Sequence, residues 1–292
     1  MQVFVTGASG FIGSAVVTEL LDAGHQVVGL ARSATSANAL TAAGAQVHPG
    51  SLDDLDSLRQ GAAAADGVIH LAFNHDFENY AGAVDTDRLA IETLGDALAG
   101  SNRPLVVAAG IVGLQTDTVA TEGDDLEPGT PRLSEAAALP LAERGIRVSV
   151  VRLAPTVHGQ GDYGFVPRLI DIARDKGVSA YPGAGTNRWP AVHRRDAARL
   201  FRAALESAPP GARLHAVAEE GVPTREIAAV IGRRLDLPVQ SVPAEKVFDH
   251  FGWLGAFFSR EAAASSELTR AMLHWTPTGP TLLDDLTRHY FD

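Results

Sequence analysis

The sequence predicts an α/β protein built on a doubly wound parallel sheet, with a smaller, mostly helical C-terminal lid. Three observations predict it. Short runs rich in Val, Ile and Leu alternate with helix-spaced apolar segments through the first half of the chain, the pattern of a parallel sheet flanked by helices. Runs such as residues 68–72 are apolar without alternation, as strands covered on both faces are. The first strand also leads directly into Thr6-Gly7-Ala8-Ser9-Gly10-Phe11-Ile12-Gly13, a glycine turn that opens a helix.

Residues 2–5 read as a short buried strand. Ala15, Val16, Val17, Leu20 and Leu21 then share one helix face, Gly24 stops that helix, and residues 26–30 form a second strand. This unit of about thirty residues is the context that a dinucleotide-binding glycine motif, the Rossmann signature, requires. Gly7 reverses the chain tightly, Gly10 lets backbone N–H groups approach a pyrophosphate, and Gly13 lets the helix lie close to the sheet. The helix N-terminus then faces the anion with unpaired N–H groups.

Strand two ends at Leu30, and Arg32 and Ser33 follow. An NAD site places a carboxylate here for the ribose 2′-hydroxyl. A guanidinium and a hydroxyl instead suit a 2′-phosphate through charge-assisted hydrogen bonds, so NADP(H) is the expected cofactor. Residues 35–44 read as a helix and 46–48 as a third strand. Ser51 is the expected N-cap of a helix carrying Leu55 and Leu58, and the turn holding Leu52 is expected beside the adenine. Residues 68–72 are the fourth strand, and His70 within it reads as a core or near-cofactor histidine rather than a metal ligand. A long helix over 80–99, a fifth strand over 105–110, a helix over 134–144 bent by Pro140, and a sixth strand over 148–153 complete the regular part.

Beyond residue 158 the rhythm turns irregular. A flexible loop over 159–164, a helix over 165–175 and a glycine-rich loop over 182–187 lead through 189–193 into a helix opening at Arg195. Residues 213–217 read as the last strand and 223–235 as an amphipathic helix capped by Thr224. The remainder is mostly helical, with apolar residues at Phe248, Phe251, Trp253, Leu254, Phe257 and Phe258. The expected division is a dinucleotide-binding domain over 1–158, to which 188–218 returns, and a substrate-binding lid with C-terminal helices over 159–292.

A chain of 292 residues, 46% hydrophobic and 20% charged, buries a sizeable core. It has no cysteine, which excludes disulfides, a thiolate nucleophile and Cys-ligated metal, and which suits a reducing cytoplasm. The net charge of −11 argues against nucleic acid. The N-terminus enters a strand at once, leaving no room for a signal peptide, and no apolar run approaches the roughly 18 residues of a membrane span. The expected partner is a small-molecule substrate, with no membrane, nucleic acid or metal.

Four segments in order resemble the short-chain dehydrogenase/reductase superfamily, in its extended, epimerase/dehydratase-like branch. They are residues 6–13, the strand end His70-Leu71-Ala72, Arg152-Leu153-Ala154-Pro155-Thr156-Val157-His158-Gly159, and Trp189-Pro190-Ala191-Val192-His193-Arg194-Arg195-Asp196-Ala197-Ala198. The resemblance covers roughly residues 1–220. It implies a cofactor held by Gly7, Ser9, Gly10, Phe11, Ile12, Gly13, Leu71, Ala72, Leu153 and Pro155, with the nicotinamide facing Phe73, Ala109 and Tyr163. It also implies a homodimer built on the helices over 80–99 and 134–144.

The family's catalysis rests on a Tyr-x-x-x-Lys pair and a hydroxyl at the end of strand five, and this chain lacks all three. Its two lysines, Lys176 and Lys246, are preceded at the fourth position by Ile172 and Val242. In register, the tyrosine falls on Pro131, the lysine on Glu135 and the hydroxyl on Ala109 or Ala108, with Arg132 and Ser134 as the nearby polar residues. Two functions remain open. One is an NADPH-dependent reductase of a small C=N or C=O compound that needs less help from a protein acid. Its candidate proton donors are Tyr163, His158 and His193, with His75 or Asp76 on the loop after strand four. The other is a catalytically silent NADP(H)-binding sensor or partner-binding protein.

Overall fold

A computed structural model describes residues 1–74, 79–114 and 118–291. The first half alternates regularly: β1 (Gln2–Thr6), α1 (Phe11–Asp22), β2 (Gln26–Ala31), α2 (Ala34–Ala42), β3 (Gln46–Pro49), α3 (Leu55–Ala64), β4 (Gly67–His70), α4 (Tyr80–Leu98) and β5 (Pro104–Gly110). Then come α5 (Ser134–Ala138), β6 (Arg147–Leu153), β7 (Thr156–His158), α6 (Phe165–Lys176), β8 (Ser179–Pro182), β9 (Arg188–His193), α7 (Arg194–Ser207) and β10 (Ala212–Ala216). The chain closes with β11 (Glu219–Pro223), α8 (Thr224–Leu235), β12 (Val239–Val242), α9 (Val247–Phe251), α10 (Gly255–Phe258), α11 (Glu267–Leu273) and α12 (Leu282–His289).

Seven strands form one parallel sheet in the order β10-β6-β5-β4-β1-β2-β3. The chain winds outward from β1 in one direction and from β4 in the other, so a crevice opens over the carboxyl ends of these two neighbours. One sheet face packs α1 and α7 through Val16, Val17, Leu20, Leu200 and Phe201. The other packs α3, α4 and α5 through Leu58, Ile91, Leu94 and Ala138. With both faces covered, the central strands need no alternation: Leu105, Val106 and Val107 are all fully buried.

Several sequence expectations shift for local physical reasons. β4 ends at His70, where Thr6 Oγ1 accepts the N–H groups of both Leu71 and Ala72, at 3.2 Å each, while Leu71 N also reaches the Thr6 carbonyl at 3.3 Å. α3 is capped by Asp54, whose Oδ1 accepts from Ser57 N at 3.1 Å, and not by Ser51. Thr224 does not cap α8; its hydroxyl donates to Asn187 Oδ1 at 2.7 Å. Ahead of Pro140, α5 gives way to a 3-10 turn over Leu139–Arg144 that ends at Gly145, φ +70°. β10 is not the last strand. β11 runs antiparallel to β9, which parallels β7, and β12 pairs with β8.

The C-terminal aromatic residues divide. Phe251, Leu254 and Phe258 join Trp189, Ile227 and Leu282 in a separate core, whereas Phe248 is 70% exposed and Trp253 36%. The buried members therefore hold this part of the chain together rather than lining a cleft.

Glu135, expected from the sequence where the resembled family carries lysine, is tied inward. Its two oxygens take Nε and Nη2 of fully buried Arg152, each at 2.7 Å, and Arg213 Nε lies 3.1 Å away. Removing one partner strands a buried charge. Glu135→Ala should therefore cost about 3–5 kcal/mol of stability in urea unfolding, while leaving the affinity for nicotinamide cofactor unchanged.

Candidate cofactor and active site

The glycine turn leaves a helix end open to the crevice. Gly7 holds φ +67°, and a Cβ there would lie 2.7 Å from Ala72 N. Gly10 is the N-cap of α1, with no side-chain cap and no acidic residue in the first turn. A Cβ on Gly10 would meet only Gly7 O and Tyr163 Oη within 4 Å, so the space beside it can admit a phosphate. Uncapped N–H groups and the helix dipole favour an anion there. Ser9 is exposed in the turn, Phe11 and Ile12 are partly buried, and Gly13 is buried against Gly7.

At the end of β2, Arg32 and Ser33 are exposed, and Ser33 Oγ caps α2 by accepting from Ser36 N at 3.2 Å. Leu52 lies partly buried in the turn after β3. On the opposite side of the glycine turn, Leu71, Ala72 and Phe73 follow β4, Ala109 lies near the end of β5, and Leu153 and Pro155 flank the end of β6. These residues fit an extended dinucleotide: pyrophosphate at α1, adenosine toward β2, and nicotinamide toward β4, β5 and β6.

A buried polar chain runs behind the nicotinamide end. Thr6 Oγ1 lies 2.9 Å from His70 Nδ1, and His70 Nε2 lies 3.0 Å from Asp87 Oδ1. Thr6 Oγ1 already accepts two backbone N–H groups, so its proton goes to Nδ1 and His70 donates through Nε2. Ser134 Oγ donates to Asp87 Oδ2 at 2.6 Å, and Arg132 Nε donates to Ser134 Oγ at 2.9 Å. Burial works to raise the Asp87 pKa, but the hydrogen bonds from His70 and Ser134 and the Arg132 charge outweigh it and hold the carboxyl below its ordinary value. His70 is thus a core histidine wired toward the site.

The expected donors take other positions. Tyr163 is 73% exposed, and its Oη accepts from Phe11 N at 3.2 Å, at the phosphate end. Arg194 lies over the opposite part of the same turn, with Cζ 5.2 Å from the Phe11 ring centre. His158 is fully buried, with Nδ1 2.8 Å from Asp285 Oδ2 and its ring edge-on to His193, centres 5.5 Å apart. Burial and the neighbouring His158 lower the His193 pKa. His158 ties α12 to β7, and His193 at the end of β9 packs on its ring. His75 and Asp76 lie outside the described residues. Sequence reasoning did not find Asp87 or Asp285; the available signal was a carboxylate inside an apolar stripe, Ala83-Val84-Asp87-Ala90-Ile91 and Leu282-Asp285-Leu286.

Beside the end of β5 a cavity of about 230 Å³ is lined by Ile111, Leu114, Ala120, Glu127, Arg260 and Ala263. Among the described residues no helix is long and apolar enough to cross a membrane, and no group of His, Asp and Glu could hold a metal ion.

Sheet order, glycine turn and open helix end define a dinucleotide-binding protein of the doubly wound class. The chain belongs to the NAD dependent epimerase/dehydratase family. That family's model matches residues 3–108, and an uncharacterized protein of Schizosaccharomyces pombe is 51% identical over 98% of both chains. A 2-alkyl-3-oxoalkanoate reductase of Stenotrophomonas maltophilia is 27% identical over 85% of this chain and 81% of its own. A dTDP-glucose 4,6-dehydratase of Streptomyces venezuelae, solved with NAD, shares the fold at TM-score 0.79 and 20% identity, covering 99% of this chain and 96% of that one.

The α12 anchor makes a pH prediction. Burial works to raise the Asp285 pKa, but the hydrogen bond and charge of His158 prevail and hold it below the ordinary 3.8. A depressed carboxyl contributes stability above its unfolded pKa and loses it as pH falls through the folded value. Unfolding followed between pH 6 and about 2 should show an acid limb beginning near the ordinary value, and Asp285→Asn should flatten it.

Proposed function

We propose that the protein is an NADPH-dependent reductase of a small organic C=O or C=N compound. The observation that carries this reading is an uncapped helix end in a crevice flanked by Arg32 and Ser33, with a cavity at the end of β5. When bound, the nicotinamide supplies a hydride. The chain's own contribution is to grip the phosphates through the first turn of α1, to hold the 2′-phosphate at Arg32 and Ser33, and to wall off water with buried Ala109 and the residues after β6. Holding two reactants in contact lowers a barrier by up to about 7–11 kcal/mol without any acid. The oxoalkanoate reductase among the relatives supports the same reaction type.

A silent NADP(H)-binding sensor is the second reading. Pro131, Glu135 and Ala109 favour it, since they stand where the family carries its tyrosine, lysine and hydroxyl. NADPH oxidation measured against ketones, oxoacids and cyclic imines separates the two, because a sensor consumes none.

The cofactor choice has its own test. Arg32→Asp sets a carboxylate against the 2′-phosphate and should weaken NADPH binding about tenfold to a hundredfold, measured by cofactor fluorescence titration, while NADH binding changes little. Equal affinity of the parent for both cofactors would sink the NADPH assignment.

A homodimer through α4 and α5 is also proposed. Leu89 on α4 and Leu133 at the start of α5, 37% and 39% exposed, support it. Light scattering at micromolar protein should give twice the chain mass, and Leu89→Arg should give the monomer.

A further inference from the structure

Arg132 is held from three directions. Its Nε donates to Ser134 Oγ, its Nη2 donates to the Ala108 carbonyl at 3.3 Å, and its Cζ lies 4.3 Å over the Phe73 ring. Among the described residues it has no carboxylate within ion-pair distance, and Nη1 makes no hydrogen bond. Asp87 lies beyond Ser134, spending its oxygens on Ser134 and His70. A guanidinium is thus fixed by the ends of β4 and β5, and among the described residues no carboxylate is in direct contact with it.

Tyr80 packs on the same phenyl ring. Its ring centre is 6.0 Å from that of Phe73, the ring on which Arg132 stacks. Burial raises the phenol's pKa and Asp87 adds to that, against the pull of Arg132.

We propose that Arg132 is the electrophile of this site, receiving the reacting oxygen of a carbonyl substrate, and that Tyr80 supplies the proton. The proposal rests on the reductase reading and narrows it to C=O, with an oxoacid as the class that fits best. A fixed, unpaired guanidinium attracts a polarised oxygen or a carboxylate in a bidentate manner, whereas it repels a protonated imine. In the step, the carbonyl carbon would gain a hydride (two electrons and a hydrogen), which a bound reduced nicotinamide would supply. The C=O π pair moves onto oxygen against Arg132, the oxygen takes the Tyr80 proton, and the phenolate regains one from solvent. Arginine does not give up its own proton, so a neutral donor is needed next to it. Ser134, Asp87, His70 and Thr6 are positioning residues.

The test uses the full chain with two probes: malonate as a non-reacting dianion, and acetoacetate against 1-pyrroline as competing substrates. Malonate binding to the NADP⁺-loaded protein is measured by calorimetry. Arg132→Gln should weaken it at least tenfold, Arg132→Lys should restore part of it, and NADPH affinity should not move. Acetoacetate turnover should fall about 10²–10³-fold in Arg132→Gln. In Tyr80→Phe it should fall about 10²–10⁴-fold with malonate affinity intact. Malonate binding that survives Arg132→Gln, or 1-pyrroline reduced faster than acetoacetate by the parent, overturns the proposal. If neither compound is reduced while malonate binding still depends on Arg132, the reductase reading fails and the anion site stands.

Discussion

The structure depends on one close backbone approach. Gly13 of α1 lies so near the Gly7 carbonyl that a Cβ at residue 13 would overlap it, and Gly7 in turn presses on Ala72 after β4. No side chain fits between these three segments. Because they touch, α1 begins at the surface of the sheet rather than above it, and its unpaired N–H groups open into the crevice between β1 and β4. The same approach brings Thr6 Oγ1 within reach of the Leu71 and Ala72 amides. These bonds hold the chain as it leaves β4 for Phe73.

From Thr6 the consequence travels through polar contacts. Its hydroxyl fixes the His70 tautomer, His70 holds Asp87, Asp87 holds Ser134, and Ser134 holds Arg132. Thr6, His70, Asp87 and Ser134 are all essentially inaccessible to solvent. A buried polar chain of this kind is favourable only when every member is satisfied, and then it allows a single arrangement. The glycine turn and the Arg132 guanidinium are therefore parts of one rigid construction, although residues 6 and 132 are far apart in sequence.

The sheet was legible because its signals are local. Apolar runs of strand length, glycine at the first turn, and helix spacing in α1 and α4 are each complete within a dozen residues or so. Partnerships across the chain were not. Nothing near Ser51 marks it as a poorer cap than Asp54, and Thr224 carries the right hydroxyl for a cap but spends it on Asn187. His158 and His193 looked like donors because they lie on loops after strands. Only the fold shows that a carboxylate 127 residues further on, Asp285, occupies His158. Tyr163 was placed near the crevice by its loop, but the glycine turn captures its hydroxyl at the phosphate end.

The three missing family positions look different once their surroundings are counted. A lysine at 135 would press a cation against Arg152 and Arg213, so the carboxylate there is demanded by the charges facing it. Pro131 cannot act as an acid, but it precedes the arginine whose side chain reaches Ala108 beside the vacated hydroxyl position. A site that had merely decayed would leave buried groups around it unpaired. Here the buried chain from Thr6 to Ser134 is hydrogen-bonded at every step and ends on the Arg132 guanidinium.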